Sequence, residues 1–222
     1  MASEVDICNL ALARLGDEAT VSSISPPEGS AQAEHCARFY PLARDSLLEM
    51  HQWSFCTKRA NPALVATSMN QWRYVYAMPN DAMDIIAVLD NNATSDFSSP
   101  VIVENQVLGT VNQGMGLYTP QPFSLETLDD GTSVILTNQE NALIRYVGRI
   151  TDTSKFSAKF VDALAWLLAS HLAGPVIKGD AGMKMSQVCY QAFIASFNSA
   201  ATSDANNQRR DINQSVSWMV NR

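Results

Sequence analysis

The 222-residue sequence contains little charge, and it lacks the short motifs that mark common catalytic sites. Asp, Glu, Lys and Arg make up 17% of the residues, against about a quarter in an ordinary globular chain. No Gly-rich phosphate loop, nucleophile elbow or HExxH motif is present. We therefore predict no catalytic residue, no cofactor-binding residue and no metal site.

Cysteines are few and far apart. Cys8, Cys36, Cys56 and Cys189 form no CxxC pair and have no histidine at ligand spacing. This pattern argues against a disulfide framework and against structural zinc. We expect all four to be small, buried apolar side chains.

Long apolar runs are also missing. The longest, residues 160–177, is interrupted by Asp162, His171 and Pro175, so we predict no membrane span. Residues 1–10 carry two acidic and no basic side chains, so we predict no signal peptide.

The net charge of −7 is unevenly distributed. It is −3 over residues 1–60, −6 over residues 61–150 and +2 over residues 151–222. Sequence-independent nucleic-acid binding needs many basic groups on one face, which argues against such binding by the whole chain. A ring with an acidic lining past which DNA slides remains compatible with this distribution.

Apolar periodicity predicts helices at both ends of the chain and strands between them. The predicted helices are residues 3–16, 30–59 with a kink or break at Pro41, 156–177 and 180–201. The predicted strands are residues 72–76, 85–89, 101–104, 106–110, 133–137 and 143–150. Short consecutive strands with tight turns indicate an antiparallel sheet, and we expect the long connection 111–132 to be functional or mobile.

These elements predict an α+β fold. A bundle of about four helices comprises residues 1–66 and 151–201, and a β insertion comprises residues 67–150. Residues 202–222 are polar and predict an extended C-terminal arm.

The last predicted helix is apolar on two sides. One face has small residues, namely Met185, Val188, Cys189, Ala192 and Ser196. The other is largely aromatic, namely Met183, Tyr190, Phe193, Ile194 and Phe197. Such a helix either lies centrally in the bundle or uses its second face against another subunit. Tyr190, Phe193 and Phe197 are therefore candidates for bundle or subunit contacts.

Three polar side chains fall on apolar helix faces. Arg44 requires acceptors, which either a structural contact within the chain or a contact between subunits would supply. His51 and His171 either are satisfied core histidines or form a catalytic or metal pair across the bundle.

Two acidic pairs lie in predicted turns, Asp129 with Asp130 and Asp81 with Asp84. Paired carboxylates can perform acid–base chemistry, but turns favour aspartate on their own account.

The C-terminal segment combines basic and apolar residues. Its candidate partner-binding residues are Arg209, Arg210, Ile212, Val216, Trp218 and Arg222. It either becomes ordered on a partner, with Trp218 as anchor, or is a loosely packed terminus.

One ordered set of short patterns resembles a known family. It includes residues 7–12, the run Arg44-Asp45-Ser46-Leu47-Leu48, the triplet Trp53-Ser54-Phe55 and the run 74–81. In their order and spacing these resemble the head-to-tail adaptor, or tail tubular, proteins of short-tailed bacteriophages. The apolar run 163–168 is similar in character to the second half of that family.

The resemblance implies a structural virion protein without enzymatic activity. It implies a ring of twelve subunits at the head–tail junction, between the capsid portal and the tail nozzle, assembled in the host cytoplasm. DNA would pass through the ring without sequence-specific contact, and residues 209–222 would reach the portal. Two alternatives remain open: a tail enzyme that degrades polysaccharide, using acids such as Asp129 and Asp130, and a head-completion connector of a long-tailed phage.

Overall fold

The chain folds into four helices and two main antiparallel sheets in the computed structural model, which describes residues 2–18, 20–66, 69, 71–90, 101–103, 106–108 and 121–207. The helices are α1 (Glu4–Arg14), α2 (Ala31–Glu49), α3 (Ala158–Ile177) and α4 (Gly179–Ala205). Serine hydroxyls cap three of them: Ser3, Ser30 and Ser157 accept a backbone N–H at the starts of α1, α2 and α3.

Helix α3 lies at the centre of the helical layer. It packs against α1, α2 and α4, whereas α4 makes extensive contact with α3 alone among the described elements. This position explains why α3 is apolar around most of its circumference. The main core joins these helices to the turn around Trp53 and to Phe156.

Nine strands are described, all paired antiparallel. They are β1 (Thr57–Ala60), β2 (Leu64–Ala66), β3 (Tyr74–Ala77), β4 (Ala82–Asp90), β5 (Val101–Val103), β6 (Gln106–Leu108), β7 (Phe123–Thr127), β8 (Ser133–Thr137) and β9 (Ala142–Gly148). One sheet has the order β1-β9-β4, the second has the order β2-β3-β8-β7, and β5 pairs with β6. This mixed architecture agrees with the predicted α+β class.

The local predictions differ from the structure at several points. Helix α2 ends at Glu49, so the predicted helix to residue 59 is wrong, and residues 57–60 pair with β9 as strand β1. Pro41 lies inside α2 and does not break it. Strand β7 lies in the stretch predicted as a loop. Residues 202–205 continue α4 instead of beginning an arm.

Helix α3 is long and apolar enough, by length and composition, to cross a membrane. By these criteria α3 is a candidate membrane span in spite of Asp162, His171 and Pro175. The sequence argument, which used these three residues to predict no membrane span, therefore does not exclude one. In the structure 56% of this stretch is buried inside the protein. A central core helix has the same properties.

Candidate interaction surface

The outer side of α4 exposes several large apolar side chains among uncharged polar ones and carries almost no charge. Met183, Val188, Tyr190 and Ile194 are between 44 and 67% exposed. In the 27 residues of α4 the only charged side chains are Asp180, Lys184 and Asp204. Depletion of charge around exposed apolar side chains is typical of the centre of a protein interface. We call Met183, Tyr190 and Ile194, which lie at i, i+7 and i+11 along one side of the helix, the α4 stripe.

The predicted aromatic face of α4 is divided between the core and solvent. Phe193 is buried, Phe197 packs against the main core, and Tyr190 is 47% exposed. The Tyr190 and Phe193 rings are 5.6 Å apart. Two of the three predicted contact residues therefore serve the chain's own core, and Tyr190 alone is left for another molecule.

A polar groove of about 410 Å³ runs beside the α4 stripe, between α3 and α4. It is lined by Ser170, His171, Ser186, Gln187, Tyr190 and Gln191. The Ser186 hydroxyl donates to the Ser170 carbonyl at 2.7 Å and fixes the spacing of the two helices there. The His171 ring is stacked on Phe39, and burial lowers the pKa of His171 below its ordinary value.

The C-terminal end of α4 is fastened to the turn that follows α2. The Asp204 carboxylate accepts the backbone N–H of Ser54 at 2.8 Å and its hydroxyl at 2.6 Å. His51 Nε2 lies 3.5 Å from the same carboxylate. The Ser54 hydroxyl donates to the acid rather than to the imidazole, so this group does not have the geometry of a Ser-His-Asp triad. Its effect is to fix the last turn of α4 against the turn that follows α2.

The buried side chain of Trp53 supports the contact between Asp204 and the turn after α2. Its indole N–H donates to the Leu47 carbonyl at 2.8 Å, and its ring meets those of His51, Phe160 and Phe197 edge-on. The indole is 1% exposed. These contacts hold the turn after α2 in place where it contacts the end of α4.

Arg44 finds its acceptor within the chain. Its guanidinium contacts the Asp45 carboxylate at 2.8 Å and lies 5.9 Å from the Tyr40 ring centre. Arg149 contacts the other oxygen of Asp45 at 3.2 Å. Of the two alternatives for Arg44, the structure shows the structural ion pair.

A second contact between distant segments was not predicted from the sequence. The Asp162 carboxylate on α3 pairs with Arg14 of α1 and accepts the hydroxyl of Ser196 on α4. The Arg14 guanidinium also lies 4.1 Å from the Trp166 ring centre. One carboxylate thus joins three helices. No local pattern announces this contact, because its partners are separated widely along the chain.

One carboxylate of each acidic pair, Asp130 and Asp81, is engaged in local structure. Asp130 accepts the N–H of Thr132 in the turn between β7 and β8, and this bond lowers the pKa of Asp130. Asp81 contacts Lys58 Nζ at 2.6 Å and accepts the Tyr146 hydroxyl at 3.2 Å. The Lys58 contact holds the pKa of Asp81 below its ordinary range. These roles account for both carboxylates without substrate chemistry.

The other candidate residues divide into three groups. His51 and His171 contact different neighbours and form no pair. The four cysteines are buried and free, as predicted. The partner-binding candidates Arg209, Arg210, Ile212, Val216, Trp218 and Arg222 lie outside the described residues.

Within the described part of the chain, no group of three or more His, Cys, Asp or Glu side chains is placed to hold a metal ion. The described surface offers the exposed apolar side chains of α4, a polar groove beside them and a fastened C-terminal end of α4. No protein-family model matches this sequence, and no curated protein matches it significantly.

Proposed function

We propose that this chain is a structural virion protein, a head-to-tail adaptor of a short-tailed bacteriophage. Copies assemble into a ring, of twelve subunits by family resemblance, between the capsid portal and the tail nozzle. DNA passes through the ring without sequence-specific contact. In this proposal the helices form the body of the ring subunit, the β region faces the tail, and residues 208–222 form an arm that binds the portal.

The observation that carries the proposal is the outer face of α4. Among the described elements α4 packs extensively on α3 alone, and its other side exposes Met183, Val188, Tyr190 and Ile194 with a single charge between Ala181 and Ser203. Exposed apolar side chains in one region are costly to leave in water. A ring subunit has two flanks that neighbours cover. In an assembled adaptor ring, a neighbouring subunit therefore covers this face of α4.

The C-terminal end of α4 supports the arm. Because Asp204 fastens α4 to Ser54, the arm begins at a defined place on the subunit surface. The sequence beyond it carries Arg209 and Arg210, followed by apolar residues that include Trp218. A basic segment with one large aromatic anchor suits binding to a partner in an extended conformation.

The test uses the full chain and a variant that ends at Asn207. Each is mixed with the portal of a candidate phage and examined by native mass spectrometry and electron microscopy. We expect the full chain to form a ring on the portal, and the truncated chain to bind at least tenfold more weakly. Trp218→Ala is expected to weaken binding in the same direction, and Leu64→Asp, on the exposed strand β2, is the control.

The proposal fails if the full chain neither forms a ring nor binds any portal tested. It also fails if the purified protein hydrolyses cell-surface polysaccharide and loses that activity on Asp129→Ala. Portal binding that survives the truncation unchanged would refute the role of the arm alone.

A further inference from the structure

We propose that the α4 stripe docks on the outer side of α2 of a second copy of this chain, around Leu42. The contact is heterologous: each copy uses α4 towards one neighbour and α2 towards the other. The inference rests on the proposed function, since it names the surfaces that close the proposed ring.

Helix α3 lies between the two helices that carry these surfaces. Helix α3 is in contact with α2 and with α4, while α2 and α4 have no extensive contact with each other. Leu42 is 55% exposed and projects away from the α2 face that packs against the core. Copies can therefore join in the repeating order α4, α3, α2, then α4 of the next copy.

The size of the α4 surface requires a partner of protein dimensions. At 1.5 Å per residue, a 27-residue helix is about 40 Å long. The outer half of a cylinder about 10 Å wide and of that length is roughly 600 Å². A standard protein interface uses about 800 Å² on each side. The outer side of α4 thus supplies most of one side of such an interface.

The partner element must also be long enough. The stripe from Met183 to Ile194 spans about 16 Å along α4. Strand β2, which exposes Leu64 and Val65, has three residues and spans about 10 Å. Helix α2 has 19 residues and spans about 28 Å. Helix α1, which exposes Leu10, and strand β7, which exposes Leu125, are each about 16 Å long. Of the described elements outside α4 that expose a large apolar side chain, α2 is therefore the longest and overlaps the outer side of α4 most.

Contacts through α3 place Leu42 at the level of the stripe. Phe39 of α2 stacks on His171 of α3, and the neighbouring Ser170 carbonyl accepts the Ser186 hydroxyl of α4. Phe39 and Ser186 therefore lie at about the same height. Leu42 follows Phe39 by three residues, or about 4.5 Å.

Helices α2 and α4 run in the same direction, because the end of α4 at Asp204 meets Ser54, just beyond the end of α2. Three residues after Ser186 is Cys189, next to Tyr190. When the ring axis is parallel to these helices, the rotation that relates neighbouring copies leaves each residue at the same position along the axis. In a ring of that orientation, Leu42 of one copy therefore meets Tyr190 of the next.

A contact between two α4 stripes is the competing arrangement. It would be isologous, so it would close after two copies and leave α2 uncovered. The heterologous contact leaves one free α4 and one free α2 after every addition, and therefore continues until a ring closes. The two arrangements predict different cross-links.

The test combines Leu42→Cys with Tyr190→Cys under a short bis-maleimide cross-linker. The four native cysteines are buried, so the unmodified chain serves as the reactivity control. We expect a mixture of the two single variants to give cross-linked dimers, and the double variant to give a ladder up to the closed ring. A pairing of Leu64→Cys with Tyr190→Cys is the matched control, because Leu64 is similarly exposed on β2.

Aspartate substitution supplies a second measurement. Leu42→Asp and Tyr190→Asp should each weaken self-association about tenfold or more, because each places a charge in an apolar contact. Leu64→Asp should change it less than about twofold. Melting temperatures measured on the monomers show whether each variant folds.

Three outcomes overturn the inference. Cross-links between two Tyr190→Cys chains would show the isologous arrangement. Rings that form on the portal without any 42–190 cross-link would refute the inference and leave the adaptor function standing. A chain that forms no ring and binds no portal would refute both.

Discussion

The carboxylate of Asp204 binds both the backbone N–H and the side-chain hydroxyl of Ser54, 150 positions earlier in the chain. Asp204 is one of few buried polar residues, at 8% exposure. The contact joins the last turn of α4 to the turn after α2. It therefore fixes the position of the last turn of α4 relative to α2.

Replacement of Asp204 by alanine should loosen this end of α4. The change leaves the Ser54 N–H and hydroxyl without their acceptor, so we expect the free energy of unfolding to fall by about 2–3 kcal/mol. Urea denaturation measures the loss, and hydrogen exchange should accelerate over residues 200–207. Thr202→Ala is the control, since Thr202 is exposed and bonds only within α4; its effect should stay below about 0.5 kcal/mol. Equal effects of the two variants would contradict a special role for Asp204.

The helices were predictable because their signals are local. Ser3 and Asp6, three residues apart, form a capping box at the start of α1, and the buried residues of α2 recur at helical spacing. Residues 133–137 show little alternation between polar and apolar side chains, but they include β-branched and apolar residues. They form β8 as predicted. Each of these features depends on neighbours within a few residues.

The end of α2 depends on distant contacts and was therefore missed. Trp53 lies off the apolar face of a helix continued to residue 59, which was a local sign that the helix ends before it. The chain turns after Met50 so that Trp53 can pack between Phe160 and Phe197, both from the other end of the sequence. Strand β1 then forms because β9 offers it a partner edge.

The candidate interaction surface was only partly predictable, because its local pattern can be read from the sequence and its distant contacts cannot. Periodicity showed that α4 is apolar on two sides. It did not show that Phe193 and Phe197 face the core while Tyr190 faces solvent, because that depends on the position of α3. The ties of Asp204 and Asp162 likewise join segments that no local pattern connects.

The close approach of α3 and α4 gives a matched pair of glycine substitutions. A Cβ at Gly182 would lie 2.9 Å from the Ala173 carbonyl oxygen, whereas a Cβ at Gly174 would meet nothing within 4 Å. Gly182→Ala should destabilise the protein by about 1–3 kcal/mol, because one helix must shift. Gly174→Ala should stabilise it by less than about 0.5 kcal/mol, because the gain in helix propensity is opposed by the contact of the new Cβ with the Pro175 ring.

Thermal unfolding of the two glycine variants, followed by circular dichroism, gives the comparison directly. Opposite signs are expected from the same chemical change at two helical positions. If Gly182→Ala proves as stable as the original chain, the two helices do not approach as closely as described.

The half-buried imidazole of His171 makes stability depend on pH. Burial lowers the pKa of His171 from its ordinary value of 6.5, so the unfolded chain takes up this proton at a higher pH than the folded chain. The stabilising contribution is complete above pH 6.5. It is lost as the pH falls from 6.5 through the lower pKa of the folded state.

His171→Gln should therefore reduce the loss of stability in this window, measured as urea midpoints between pH 5 and pH 7. Gln187→Ala lines the same groove without a titrating group, and it should keep the pH dependence of the original chain. If His171→Gln leaves that dependence unchanged, another group is responsible for it. Because the imidazole also stacks on Phe39, His171→Phe should reduce the pH dependence in the same way while retaining the ring contact.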